Sequence, residues 1–274
     1  MSKVFCVDVS KCNGCHNCQI ACKDEHAGSD WLPYARAQPE IGQFWLKLHE
    51  HTQGSVPKVR MHYTPRLCNH CERAGCIAAC PAGAISRRDD GLVLIDPQKC
   101  AGCGACKSAC VYGAIFFNDE LKIAQKCTGC AHLLDNGLGL PRCADACPTE
   151  ALSFGEEAEL EDFIVGAEVL QPETGFRPRV FYRNIPGVFI GGTVYDPEIE
   201  EVIIGARARC ISGYKTWEAT TDNYGDFWFF DLAPGVYEII IGADGYEFQT
   251  FQRVQARESV NLGDIALERK ADKQ

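Results

Sequence analysis

A chain of 274 residues that is 46% hydrophobic is long enough to bury one large or two ordinary cores. Its formal charge of −10 argues against a nucleic-acid-binding surface, and most of the acid excess lies beyond Gly187, where 15 Asp and Glu stand against 8 Lys and Arg. The first residues carry no basic segment followed by an apolar run, and nowhere do about 18 apolar residues follow one another. A soluble chain with no export signal and no transmembrane segment is expected, in the cytoplasm or carried to the periplasm by a signal-bearing partner.

Eighteen cysteines are the outlier of the composition, and sixteen of them fall in four quartets before residue 150. Cys12, Cys15, Cys18 and Cys22 follow C-x2-C-x2-C-x3-C spacing, as do Cys100, Cys103, Cys106 and Cys110. Cys68, Cys71, Cys76 and Cys80 stretch it to C-x2-C-x4-C-x3-C, and in Cys127, Cys130, Cys143 and Cys147 a loop over 131–142 parts the halves. In such a run three thiolates from one tight loop grip three corners of a [4Fe–4S] cube, while the fourth ligates a neighbouring cluster. Gly102 and Gly104 suit a loop that needs positive φ and backbone N–H groups turned toward sulfur. Triplets this tight do not pair as disulfides within a loop, and disulfide scaffolds are mostly short secreted chains. Structural zinc favours separated C-x2-C pairs on one tetrahedral ion, a description open only to the fourth quartet. On that other reading the chain is a zinc-stapled interaction scaffold. Sixteen ligands in four quartets predict four [4Fe–4S] clusters.

In chain order, a short strand over 4–8 delivers the first quartet. Asp8 and Lys11 precede Cys12 as Asp96 and Lys99 precede Cys100, and Gly14 matches Gly102, which marks an internal duplication. Cys6, outside the quartets, is expected to be a buried, inert thiol. Residues 23–67 form an insertion without cysteine, carrying Trp31, Phe44 and Trp45, with prolines 33, 39 and 57 breaking any long helix. It is expected to serve as a docking surface. His49 and His51 share a face of a strand-like stretch and lack a third ligand, so a solvated or packed face is expected there. Hairpins are expected over 84–95, turning at Asp89-Asp90-Gly91, and over 114–126, turning at Asn118-Asp119. The segments A-C-P-A-G-A-I, A-C-V-Y-G-A-I and A-C-P-T-E-A-L around Cys80, Cys110 and Cys147 repeat one device, a turn leading to a strand. Lys11, Lys99 and Lys126 each precede a first cysteine, as solvated charge or as an offset to cluster charge that raises reduction potential.

A short acidic helix is expected over 156–162 and an open linker over 171–178. Beyond Gly187 the pattern has period two, with strands expected over 188–194, 202–211, 227–230, 236–241, 246–254 and 260–265. That spacing predicts an antiparallel sandwich of roughly immunoglobulin size, about 85 residues. Trp217, Trp228, Phe229 and Tyr237 are expected in its core, Cys210 as a core thiol, and no catalytic constellation is present. The fold class is α+β: a duplicated ferredoxin-like domain over 1–165 with its insertion at 23–67, a linker over 166–186, and an all-β sandwich over 187–274.

Four quartets in this order, the fourth written K-C-T-G-C-A-H over 126–132, resemble the iron–sulfur subunits of the molybdopterin oxidoreductase (dimethyl sulfoxide reductase) family. The tail, with T-D-N-Y-G-D-F-W-F from Thr221 and L-A-P-G-V-Y from Leu232, resembles transthyretin-like and Cna-B-like sandwiches. Together with D-E-H at 24–26 and R-P-R-V-F-Y at 177–182, the chain is similar to β subunits of the pyrogallol–phloroglucinol transhydroxylase branch. The resemblance implies interlaced ligands. Cys12, Cys15, Cys18 and Cys147 would hold one cluster, nearest a bis-molybdopterin cofactor with molybdenum or tungsten on a large partner subunit. Cys22, Cys127, Cys130 and Cys143 would hold the second, Cys68, Cys71, Cys76 and Cys110 the third, and Cys80, Cys100, Cys103 and Cys106 the fourth. It further implies a non-catalytic subunit in anaerobic metabolism, relaying single electrons between that partner and a second redox partner. The large subunit would act on a phenolic or similar small substrate as a transhydroxylase, reductase, dehydrogenase or dehydroxylase. The alternative is a polyferredoxin of a hydrogenase or formate-linked complex, or a free carrier, although a diffusing carrier has no use for the insertion or the sandwich.

Overall fold

The computed structural model describes residues 2–271. The chain divides into two compact units, Met1–Glu50 with His62–Ile185, and His51–Met61 with Pro186–Gln274. Among the described residues no helix is long and apolar enough to cross a membrane.

The first unit is built on the strand Lys3–Asp8, whose Val4, Phe5, Cys6 and Val7 are all buried because it lies between two others. Leu152–Glu156 pairs with it antiparallel, Phe5 opposite Phe154, and Val180–Arg183 pairs with it in parallel, Cys6 opposite Phe181. Two elements depart from expectation. Glu156 ends a strand, and the acidic helix starts later, at Glu161–Ile164. The stretch expected as a linker contributes the third strand, because Val180 and Tyr182 alternate into the core, a signal masked by the neighbouring Pro178. Two small hairpins follow the second and third quartets, Ile85–Arg87 with Val93–Ile95 and Phe116–Asn118 with Ile123–Gln125. Short helices, Asn17–His26, Gly75–Ala78, Ala105–Ala109, Ala131–Asp135 and Arg142–Asp145, carry the later cysteines of the quartets or flank them. Within the insertion the strands Lys47–Ser55 and Lys58–Arg66 pair as a long hairpin. His49 and His51 lie on the first of these strands.

The second unit holds two sheets enclosing one core of Ile190, Val194, Phe227 and Phe229 against Ala208, Cys210, Tyr237 and Ile239. In the first sheet, Val188–Asp196 pairs antiparallel with Glu201–Val202 and Asp226–Leu232, and in parallel with Val260–Ala266. The parallel pair departs from the antiparallel expectation: a short link over 257–259 passes from one sheet to the other and sets the last strand alongside the first. The second sheet runs Lys215–Thr220, Arg207–Ser212, Gly235–Gly242, Gln249–Ala256. Lys215–Thr220 falls outside the expected strands, since K-T-W-E-A-T has no wholly buried face and sits at an edge. The single strand expected over 202–211 is two, parted at Gly205, whose φ is +79°. Period two also sorts the aromatics. Phe227 and Phe229 point into the core, whereas Trp228 and Phe230 stack on the outer face, 5.5 Å apart, which corrects the core expectation for Trp228. There the hairpin tip covers them. The buried Lys58 lies 5.2 Å above the Trp228 ring and pairs with Asp226, and Arg60 lies 5.0 Å over Phe230 and 3.3 Å from Asp231.

Candidate functional site

The four cysteine loops share one backbone device. The residue before the second cysteine is left-handed in each, at Gly14 (φ +77°), His70 (+43°), Gly102 (+68°) and Gly129 (+64°). Such a residue turns neighbouring N–H groups to the inside of the loop, where sulfur can accept them. Gly129 N donates to Cys127 Sγ at 3.3 Å, and Ala124 N, from the following hairpin, to Cys100 Sγ at 3.5 Å. Crowding reinforces the choice of glycine: a Cβ on Gly102 would meet the Lys122 carbonyl oxygen at 2.2 Å, and one on Gly14 the Tyr63 ring at 2.6 Å. After the fourth cysteine the same turn recurs three times, Gly83 N to Cys80 O at 3.2 Å, Gly113 N to Cys110 O at 3.1 Å and Glu150 N to Cys147 O at 3.3 Å. The three similar heptapeptides are thus one structural unit.

The thiols gather in sets that cross the quartets. Burial raises Cys12 and Cys18, Cys18 to about 12, and the charges of Cys147 and Cys15 push both further in the same direction. Burial lifts Cys22 and Cys143 well above the thiol range, with Cys127 and Cys130 acting on both. Cys71, raised to about 12 by burial, feels Cys68, Cys110 and Cys76. Cys106 is raised by burial and then by Cys100, Cys80 and Cys103. Cys147 runs the other way: burial is outweighed by N–H donors of Leu152, Thr149 and Ala151 and the Thr149 hydroxyl, so its thiol is held low. Such buried thiolates are costly until a metal takes up their charge. Links between sets are few, Cys18 with Cys22 and Cys143, Cys127 with Cys68, and Cys76 with Cys106, so the sets follow one another in a row. Cys15 at one end and Cys103 at the other are exposed, while Cys22, Cys127, Cys130 and Cys143 are all buried. Among the described residues no three His, Cys, Asp or Glu side chains converge as they would on a single metal ion. Cys6 and Cys210 stand apart, buried in the two cores and pushed by burial to about 12 and about 11.

The 4Fe-4S dicluster domain family matches residues 11–84 and again 59–157, and the carboxypeptidase regulatory-like domain family matches 190–268. The pyrogallol hydroxytransferase small subunit of Pelobacter acidigallici is 35% identical, over 95% of this chain and 97% of that one. A tetrathionate reductase subunit of Salmonella typhimurium is 34% identical over 67% of this chain and 73% of that one. A subunit of the Escherichia coli anaerobic dimethyl sulfoxide reductase is 36% identical over 57% and 74%. This protein belongs to the iron–sulfur subunits of the molybdopterin oxidoreductase family. Its work is electron transfer through 4Fe-4S centres.

Around the cysteines of this iron–sulfur subunit lie groups that the sequence pattern does not single out. Of the three lysines preceding first cysteines, Lys99 is exposed and pairs with Asp96 at 3.2 Å, and Lys11 is exposed. Lys126 alone of the three is buried, bonded to the carbonyl oxygens of Val93 and, at 3.0 Å, Cys127, with its charge bearing on Cys76, Cys110 and Cys127. Glu25 accepts from His132 Nε2 at 2.9 Å and from Arg142 Nε at 2.7 Å, beside Cys130 and Cys143, and these bonds outweigh burial to hold its carboxyl low. Trp31 stacks on His132 at 4.3 Å. His26 lies 4.6 Å from Trp45, with its pKa pulled down by burial to about 4. The D-E-H stretch therefore braces the second set of thiols. Segment 176–183 clasps the second loop: Arg179 N donates to Asn69 O at 2.9 Å, and the buried Arg179 guanidinium reaches Glu72 and Glu157. The one available signal was R-P-R-V-F-Y itself, two arginines beside an otherwise buried strand.

Proposed function

We propose that the sixteen quartet cysteines hold four [4Fe–4S] clusters in a row, one in each interlaced set, and that the chain relays single electrons between a molybdenum or tungsten bis-molybdopterin site on a large partner subunit and a second redox partner. The observation that carries it is the grouping of the thiols: each set takes three members from one quartet and the fourth from another. The sets are Cys12, Cys15, Cys18 and Cys147; Cys22, Cys127, Cys130 and Cys143; Cys68, Cys71, Cys76 and Cys110; and Cys80, Cys100, Cys103 and Cys106. The residues fit the group chemically, since buried thiols, inward N–H donors and the buried, unpartnered His70 Nε2 are what a sulfur-bridged anionic cluster uses. Bound clusters supply one-electron redox chemistry. The chain holds them in order, keeps water from the second set, and exposes one thiol at each end, Cys15 and Cys103, for electrons to enter and leave.

In this reading the four-cluster part takes in the strand Val180–Arg183, where a linker over 166–186 was expected, and the sandwich that follows is transthyretin-like and packs on the large subunit. The Pelobacter acidigallici relative, matched over 95% of this chain, is named for pyrogallol, whereas the tetrathionate and dimethyl sulfoxide subunits match 67% and 57% of it. We therefore assign the partner a phenolic substrate. Purified without oxygen, the chain is expected to carry a molybdopterin-containing subunit with it and to hold about sixteen irons. Cys147→Ser and Cys15→Ser are expected to alter the same EPR signal. Two different signals would overturn the interlaced assignment, and far fewer irons the whole reading.

A further inference from the structure

In the second loop one imidazole occupies an unusual position. His70 stands where the other three loops have glycine, in a left-handed conformation (φ +43°) that strains any residue with a side chain. It is 2% exposed. Its Nδ1 accepts the Val93 N–H at 3.0 Å, so the ring proton resides on Nε2. The Phe5 ring lies alongside at 6.2 Å, nearly parallel. Nε2 itself is buried with no hydrogen-bond partner in the protein. A buried donor left unused is destabilising, and a backbone strained to place one there points to a partner for it. The pocket that His70 lines is lined as well by Cys68, Cys71, Cys76 and Cys110.

We propose that His70 donates a hydrogen bond through Nε2–H to a sulfur of the cluster held by Cys68, Cys71, Cys76 and Cys110, and by doing so raises that cluster's reduction potential relative to the same site without the donor. This rests on the four-cluster reading above. A donor to sulfur stabilises the reduced, more negative state of a cluster. The other three loops, with glycine at the matching place, have no side chain there to do the same, so the donor distinguishes one centre in the row. Val93 fixes the tautomer and Phe5 the plane of the ring, and His70 is thus a positioning and tuning residue with no part in bond making.

The test compares His70→Asn with His70→Gln in the full chain, purified anaerobically with its partner. Asn tolerates left-handed backbone and its carbonyl can take over the role of Nδ1 toward Val93, but it has nothing at the place of Nε2. Gln puts an amide N–H near that place. In redox titrations followed by EPR, His70→Asn is expected to lower the midpoint potential of one signal, the one that Cys71→Ser abolishes, with iron content and the other three signals unchanged. His70→Gln is expected to move it back toward the wild-type value. Full iron with an unmoved potential in His70→Asn, or an equal fall in both variants, overturns the proposal while leaving the cluster assignment intact. Should either substitution release the cluster, pulsed EPR on the reduced wild-type complex labelled with 15N-histidine decides: a ring-nitrogen coupling on that signal supports the hydrogen bond, and its absence overturns it. A wild-type protein lacking that cluster altogether would overturn the four-cluster reading as well.

Discussion

Lys126→Met takes a buried positive charge out of the middle of the row. The ammonium bonds to the carbonyl oxygens of Val93 and Cys127, and its charge reaches Cys76, Cys110 and Cys127, which belong to the second and third sets. A cation favours the reduced state of a nearby cluster, so removing it lowers the potential. For two unit charges on the order of 8 Å apart in an effective dielectric of about 20, the interaction is about 2 kcal/mol, which for a one-electron couple is about 90 mV. EPR-monitored titration is expected to show two signals moving down by that order, and the signals of the Cys12 and Cys80 sets moving much less. Lys99→Met is the control. That lysine is 68% exposed and already paired with Asp96, so water and salt screen its charge. The reasoning fails if Lys126→Met keeps its iron and no potential falls, or if Lys99→Met produces the larger shift.

Gly102→Ala is expected to lose the cluster of the Cys80, Cys100, Cys103 and Cys106 set, read as about four missing irons per chain, because a Cβ there strikes the Lys122 carbonyl at 2.2 Å. Gly104→Ala has the same backbone sign, φ +73°, and open space, so it should retain the cluster at a cost of about 1–2 kcal/mol in stability. Lys58→Ala breaks the pair with Asp226 and uncovers Trp228, and should destabilise the C-terminal unit by about 2 kcal/mol, seen as an earlier unfolding transition with iron content unchanged. Cys6→Ala should leave all four EPR signals and their potentials as they are. Native wild-type protein should resist alkylation at Cys6, since burial pushes that thiol to about 12 and the thiolate is the nucleophile.

What the amino-acid order reveals by itself divides along a physical line. The proposed cluster ligation is largely local: in three of the four sets three thiolates come from one short loop, so their spacing and the left-handed residue between them are written within a dozen residues. The same holds for hairpins such as 84–95, where the turn residues and the alternation sit side by side. Elements whose burial is decided far away were not legible. Val180–Arg183 is a strand because Lys3–Asp8 has a free edge for its short alternation beside Pro178 to join, and Lys215–Thr220 because Arg207–Ser212 has one, although that segment carries little apolar alternation of its own. Trp228 reads as core from composition, yet the period of its strand turns it outward to meet Lys58, which lies far earlier in the chain.

The groups around the clusters escaped for the same reason. Lys11, Lys99 and Lys126 are equivalent in sequence, each one step before a first cysteine, and only the fold buries the last of them. His70 looks like a substitution for the loop glycine until its Nδ1 is seen against Val93. Both side chains converge on that one residue, His70 on its N–H and Lys126 on its carbonyl, in the strand Val93–Ile95 that follows the second quartet. A short hairpin that looks like a mere spacer between two ligand loops is therefore the anchor for a charge and a hydrogen-bond donor beside the third set of thiols. Ligand spacing settles what the chain can carry, and contacts assembled from opposite ends of several loops settle how readily each centre takes an electron. On the proposed four-cluster reading, a protein with the same sixteen cysteines and a different residue pairing at Val93 would bind the same iron and conduct at different potentials.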